Sequence, residues 1–121
     1  MFVESMKIKD LKLLSKQIPN IEDLEGYFKV KGYGLLRPLI GNYKRIGETW
    51  GYNYMPLINR KWGMFEKKQD LETVRLEYKN SKIVDYIEKI DDDHYFGSFY
   101  YKGKFIGNFT LTRAKVLWFF L

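Results

Sequence analysis

Tyr95-Phe96-Gly97-Ser98-Phe99-Tyr100-Tyr101-Lys102-Gly103-Lys104-Phe105-Ile106-Gly107-Asn108-Phe109-Thr110-Leu111-Thr112-Arg113 holds two aromatic-rich runs around a glycine turn. Tyr95 to Tyr101 and Phe105 to Arg113 carry the aromatic and β-branched residues that suit a pleated, half-buried surface. Lys102-Gly103 between them is a hairpin signal, because glycine accepts the positive φ that a two-residue turn requires. The stretch predicts a pair of antiparallel strands.

Upstream of it, Thr73 to Lys79 alternates cleanly. Val74, Leu76 and Tyr78 fall on one face, with Thr73, Arg75, Glu77 and Lys79 on the other, which is the period of a strand. Asn80-Ser81 predicts a tight turn. Lys82 to Ile90 fits two states: Ile83, Ile87 and Ile90 suit a helical face, whereas a short run between two turn signals favours a strand. Asp91-Asp92-Asp93 supplies the next turn, so the last four strands read as an up-and-down meander.

The first half of the chain is less regular. Tyr27 to Tyr33 alternates, with Phe28 and Val30 opposite Lys29 and Lys31. Leu35 to Tyr43 is an apolar linker broken by proline and glycine. Lys44 to Tyr54 and Leu57 to Lys67 carry Trp50, Tyr52, Trp62 and Phe65 and predict two irregular strands. Met1 to Ile18 predicts a helix with Leu11, Leu14 and Ile18 on one face. Pro19-Asn20 ends it, because the residue before proline avoids the helical region. Asn20 then caps a short turn through Leu24, closed by Gly26. Seven or eight short strands with frequent turns predict a closed barrel or a sandwich. The expected organisation is one domain over 1–121: helix and turn at 1–24, β-barrel at 26–113, apolar tail at 114–121.

Composition narrows the chemistry. There is no cysteine, which removes disulfides, thiolate nucleophiles and cysteine-ligated metals. The start lacks the apolar run of a secretory signal, and no stretch reaches the ~20 apolar residues of a membrane span. A cytoplasmic protein is expected. The net charge of +6 is read as a solvated lysine-rich surface, its charges spread along the chain. The single histidine, His94, follows the aspartate run and is read as part of a solvated turn. No serine lies in a Gly-x-Ser-x-Gly setting, and Gly32-Tyr33-Gly34 lacks the Lys-Ser/Thr of a phosphate loop. No catalytic residue, metal site or cofactor is predicted, although a tyrosine or carboxylate inside a cavity could act as acid or base.

Leu24-Glu25-Gly26-Tyr27-Phe28 follows a turn and opens the first strand. It resembles the Gly-x-Trp opening of lipocalin-like (calycin) barrels, with Phe28 where the family has tryptophan. The family's basic residue near the end of the last strand, packed over that ring, is matched by Arg113, which shares a face with Phe109 and Leu111. The stretch Ile83 to Asp93 is similar to the later strand-and-turn segment of the bacterial GXWXG family, whose tryptophan motif is distorted here as Gly47-Glu48-Thr49-Trp50-Gly51. The resemblance implies an antiparallel up-and-down barrel of seven to eight strands around an apolar cavity that holds a hydrophobic molecule.

The predicted interior comprises Phe28, Val30, Trp50, Val74, Leu76, Tyr78, Phe99, Phe105, Phe109 and Leu111. The ligand-contacting set within and beside it is Phe28, Trp50, Leu76, Tyr78, Phe99, Phe109 and Arg113. Tyr78 and Arg113 are its polar members, Arg113 able to grip a carboxylate. An eight-stranded barrel is wide enough either to be filled by its own side chains or to hold one small ligand, and both remain open. The expected function is non-catalytic binding of a small hydrophobic or amphipathic molecule. A second reading is single-stranded nucleic acid on Arg60-Lys61-Trp62, Lys67-Lys68, Tyr52 and Tyr54, although the patch reads first as a solvated face with core aromatics and nucleic acid is not the expected partner. A third is a structural module that forms a homodimer through Val116-Leu117-Trp118-Phe119-Phe120-Leu121.

Overall fold

Val74, Leu76 and Tyr78 are buried while Arg75 and Glu77 between them are half-buried, which turns one face of their strand to the inside of a closed sheet. The computed structural model describes residues 3–15, 17, 19–39, 41–71 and 73–114. It contains strands β1 (Gly26–Gly32), β2 (Tyr43–Ile46), β3 (Trp50–Met55), β4 (Arg60–Gln69), β5 (Val74–Tyr78), β6 (Ile83–Asp91), β7 (His94–Tyr101) and β8 (Lys104–Arg113). Each pairs antiparallel with the next, and β8 returns to β1 with Phe28 opposite Arg113. The chain is therefore a mainly β, closed eight-stranded up-and-down barrel. Closure leaves no open edge among the described strands to recruit another chain.

The hairpin expected at Lys102-Gly103 is present, with φ of 52° and 77° at the two residues and Tyr101 paired with Lys104. Lys82 to Ile90 resolves as strand. The ambiguity in its pattern has a cause: Ile90 leaves the inner row and joins Val3, Leu11 and Phe96 in a second apolar cluster outside the barrel wall.

Several expectations are corrected. The helix is shorter than Met1 to Ile18: a 3-10 turn spans Val3–Ser5 and α1 covers only Ile8–Leu14. Leu11 is buried but Leu14 is 39% exposed, and Ile18 lies outside the described residues, as does the chain from 115 to 121 with its apolar tail. The linker holds a 3-10 stretch at Gly34–Leu39, and β2 begins at Tyr43. The strand expected over Lys44 to Tyr54 is two strands joined through residues 47–49.

That split moves Trp50 to the outer face, where it is 44% exposed. Gly51 and Asn53 face inward instead. The wall must be thin there, because a Cβ on Gly51 would lie 2.5 Å from the Phe65 ring. Phe105, expected inside, is also outside and 50% exposed. A bulge between Phe99 and Tyr100 in the β7–β8 ladder shifts the alternation, so Ile106 packs on the core in its place. No helix among the described residues is long and apolar enough to cross a membrane.

Candidate functional site

Antiparallel order gives the barrel two distinct ends. Around the first lie the starts of β1, β3, β5 and β7 and the finishes of the other four strands. Its inward floor is largely apolar: Phe28, Val74, Ile87, Tyr95 and Leu111 are all buried. The segment 19–25 covers it, and Leu24 is fully buried among them. Long polar side chains hold this cover by its main chain. Lys67 Nζ donates to the carbonyls of Ile21 (2.8 Å) and Leu24 (2.9 Å). Gln69 donates to Pro19 O and accepts from Ile21 N–H. Arg113 donates to the carbonyls of Glu25 (2.8 Å) and Asp23 (2.9 Å), and its guanidinium sits 4.9 Å from the centre of the Phe28 ring.

The second end is built differently. Lys44 on β2 reaches across the lumen to Asp85 on β6, its Nζ 3.2 Å from Oδ2. Both side chains are buried. The ammonium has three protons and three oxygen partners: Asp85 Oδ2, Tyr78 Oη and Asn53 Oδ1. Three ring centroids surround it, Tyr78 at 5.2 Å, Phe65 at 5.3 Å and Phe109 at 5.4 Å. Tyr78 donates to Asp85 Oδ2 (2.9 Å) and accepts from Asn53 Nδ2 (3.1 Å). Asn42 donates to Asn53 Oδ1, and the Trp62 indole N–H donates to Asn42 Oδ1, each at 3.1 Å.

Burial lowers the Lys44 pKa, and the carboxylate of Asp85 opposes that shift. Burial likewise raises Asp85 above the ordinary aspartate value against the pull of Lys44 and Tyr78. Tyr78 is pushed well up, first by burial and then by the Asp85 charge. Its phenol stays protonated and acts as a donor. The network is satisfied except at one atom: Asp85 Oδ1 is buried and has no hydrogen-bond partner among the described residues. An unmet acceptor of this kind costs about 1–3 kcal/mol, more for a charged group.

Around this network the second end is only partly covered. Leu36, from the Gly34–Leu39 stretch, is tucked in, its side chain 3.0 Å from where a Cβ on Gly107 would stand. Trp62, Ile83, Phe99 and Ile106 pack on the core while partly exposed. A cleft of about 630 Å³ between the β5–β6 and β7–β8 turns is lined by Tyr78, Ile83 and Lys102, among others.

Of the residues expected to contact a ligand, Tyr78, Phe99 and Phe109 lie in this half. Leu76 pairs with both Lys67 and Asp85, between the two halves. Phe28 and Arg113 belong to the first end, where the guanidinium is occupied by main-chain carbonyls and by Asp93, 3.5 Å from Nε. Trp50 is outside. His94 bonds Asp91 at 2.7 Å within the turn. Sequence reasoning missed Asn42, Lys44, Asn53 and Asp85, and placed Trp62 in an outer basic patch, whereas its indole N–H joins this network. A signal existed for Asp85: in a strand it shares the inward row with Ile83 and Ile87.

No family model and no curated protein matches the sequence. Among solved structures, the chain is similar to a protein from Thermomonospora curvata, with a TM-score of 0.68 over 94% of each chain and 17% identity. At that identity the likeness carries the fold alone.

Proposed function

We propose that the barrel binds a small, uncharged, amphipathic molecule and does not transform it. The polar head meets Asp85 and the apolar part lies toward Trp62, Ile83, Phe99 and Ile106. The observation that carries this is the orphaned Asp85 Oδ1. It is an acceptor, so it calls for a donor such as an alcohol or amide N–H. The neighbouring charges already balance as Lys44 and Asp85, which favours an uncharged head over an ion. Apolar pockets with a few convergent polar groups are the usual form of such sites.

Native mass spectrometry of the purified protein, followed by denaturing extraction, tests the reading. A bound mass is expected, or uptake of octanol that does not change with salt. Ile83→Trp, which puts a larger side chain into the cleft lined by Tyr78 and Ile83, is expected to lower occupancy at least tenfold while the circular dichroism spectrum is kept. A protein that is bare as purified and takes up no octanol defeats the proposal.

A further inference from the structure

The net charge of the chain is not spread evenly. Between Tyr27 and Phe65 there are seven basic residues, Lys29, Lys31, Arg37, Lys44, Arg45, Arg60 and Lys61, and one acidic residue, Glu48. The rest of the chain holds fourteen of each sign, so the whole +6 comes from this stretch. The fold turns it into one continuous wall, β1, β2, β3 and the start of β4. Lys44 faces inward and is neutralised by Asp85. The other cations lie outside the lumen.

Aromatic rings are interleaved with them in two rows across the strands. Tyr27 pairs with Arg45, and Arg45 with Tyr52. Lys29 pairs with Tyr43, Tyr43 with Tyr54, and Tyr54 with Lys61. Arg45 stacks over the Tyr27 ring at 5.0 Å, and Lys61 over Tyr52 at 4.8 Å. Beside β1 a cleft of about 570 Å³ is lined by Lys29, Lys31, Tyr33 and Arg37, with no acidic residue among the described residues of its lining. Glu66 on the same wall is held by Lys68 at 3.5 Å.

We propose that this outer face, with the cleft beside β1, binds single-stranded nucleic acid. Alternating rings and cations at strand spacing match a chain that alternates bases and phosphates: bases stack on aromatic faces while a positive groove follows the backbone. A convex barrel wall offers no helix or ribbon to enter a duplex groove. Its tyrosines are half-buried, so little of each side chain stands out to insert into a lipid surface. The patch differs from the one expected from sequence. Trp62 and Lys67 point inward, and Lys68 is engaged by Glu66 and Glu77. Tyr27, Lys29, Tyr43 and Arg45 take their place.

The test is fluorescence anisotropy with a labelled oligo-dT of about twenty nucleotides, longer than the ~4–16 that one small barrel occupies, titrated at several salt concentrations. Saturable binding that weakens with salt is expected. Tyr52→Ala with Tyr54→Ala is expected to weaken it at least about tenfold at fixed salt, whereas the corresponding Phe pair retains binding. Lys29→Gln with Lys61→Gln, both exposed, is expected to reduce the slope of log K against log salt by about 1.4, roughly 0.7 for each phosphate no longer neutralised. Lys82→Gln with Lys102→Gln, at the hairpin turns, leaves both unchanged. The proposal is overturned by absence of binding at low salt, or by equal losses in the turn variants. It is overturned as well if phosphatidylserine vesicles bind and the oligonucleotide does not.

Discussion

The two ends of the barrel solve the same problem with opposite means. At the first end most inward residues are apolar and a covering turn lies over them. Its cations, Lys67 and Arg113, are placed at the rim and satisfied by main-chain carbonyls. At the second end a cation and an anion stand inside the lumen, satisfied by each other and by Tyr78 and Asn53. The difference is one of dependence. A residue at the apolar end contributes mostly through its own packing, whereas a member of the network leaves its partners stranded when it is removed.

The largest expected effect breaks the network. Lys44→Met alone leaves Asp85 buried without its counter-charge and is expected to cost about 3–5 kcal/mol in denaturant unfolding. Lys44→Met combined with Asp85→Leu is expected to be nearly neutral or stabilising, because two desolvated charges leave together. If the double variant is as unstable as the single, the network owes its stability to more than charge pairing. At the other end Leu24→Ala is expected to cost about 2–4 kcal/mol through reduced burial and a residual cavity. Combined with the Lys44/Asp85 pair of changes it should add within about 0.5 kcal/mol, the behaviour of separate sites. Coupling well beyond that would mean the two ends share one core.

The smallest effect sharpens the contrast on a single strand. β6 carries Asp85 toward the second end and Asp91 at the first. Burial raises the Asp85 pKa. Burial would raise Asp91 too, but its bonds with His94 and the Asp93 and His94 backbone N–H groups bring it below the ordinary value. The signs are opposite. Asp91 contributes stability above its unfolded pKa that is lost as pH falls through its lower folded value. The contribution of Asp85 is present at acid pH and lost as pH rises through its higher one. Carboxyl carbon shifts are expected to show Asp85 titrating above Asp91. Asp91 is partly exposed, so Asp91→Asn should cost no more than about 1 kcal/mol at neutral pH and nothing at strongly acid pH.

Much of the barrel was legible in the sequence because alternation and turn chemistry agreed over Thr73 to Arg113. There the expected strands and the Lys102-Gly103 turn are found with small shifts of boundary. The first half was harder to read because glycines replace large inward residues: Gly51 yields its space to Phe65, so the visible aromatics Trp50, Tyr52 and Tyr54 are the outer row. Phe105 was misplaced by a bulge, which no local pattern announces. The polar network was missed for a different reason. Polar residues in inward positions look like interruptions of a core until the opposite wall is known, and Lys44 and Asp85 meet only because the sheet closes.

The pairing of β1 with β8 has a consequence for how the molecule comes into being. Glu25 and Arg113, joined by a hydrogen bond, stand 88 positions apart, so the founding strand waits for its partner until almost the whole barrel has been synthesised. Local hairpins such as β7–β8 can form within microseconds, but closing so long a loop is slow and leaves strand edges open meanwhile. During that interval β1 is a nascent edge whose alternate residues Lys29 and Lys31 carry like charge, which opposes pairing between neighbouring unfinished chains.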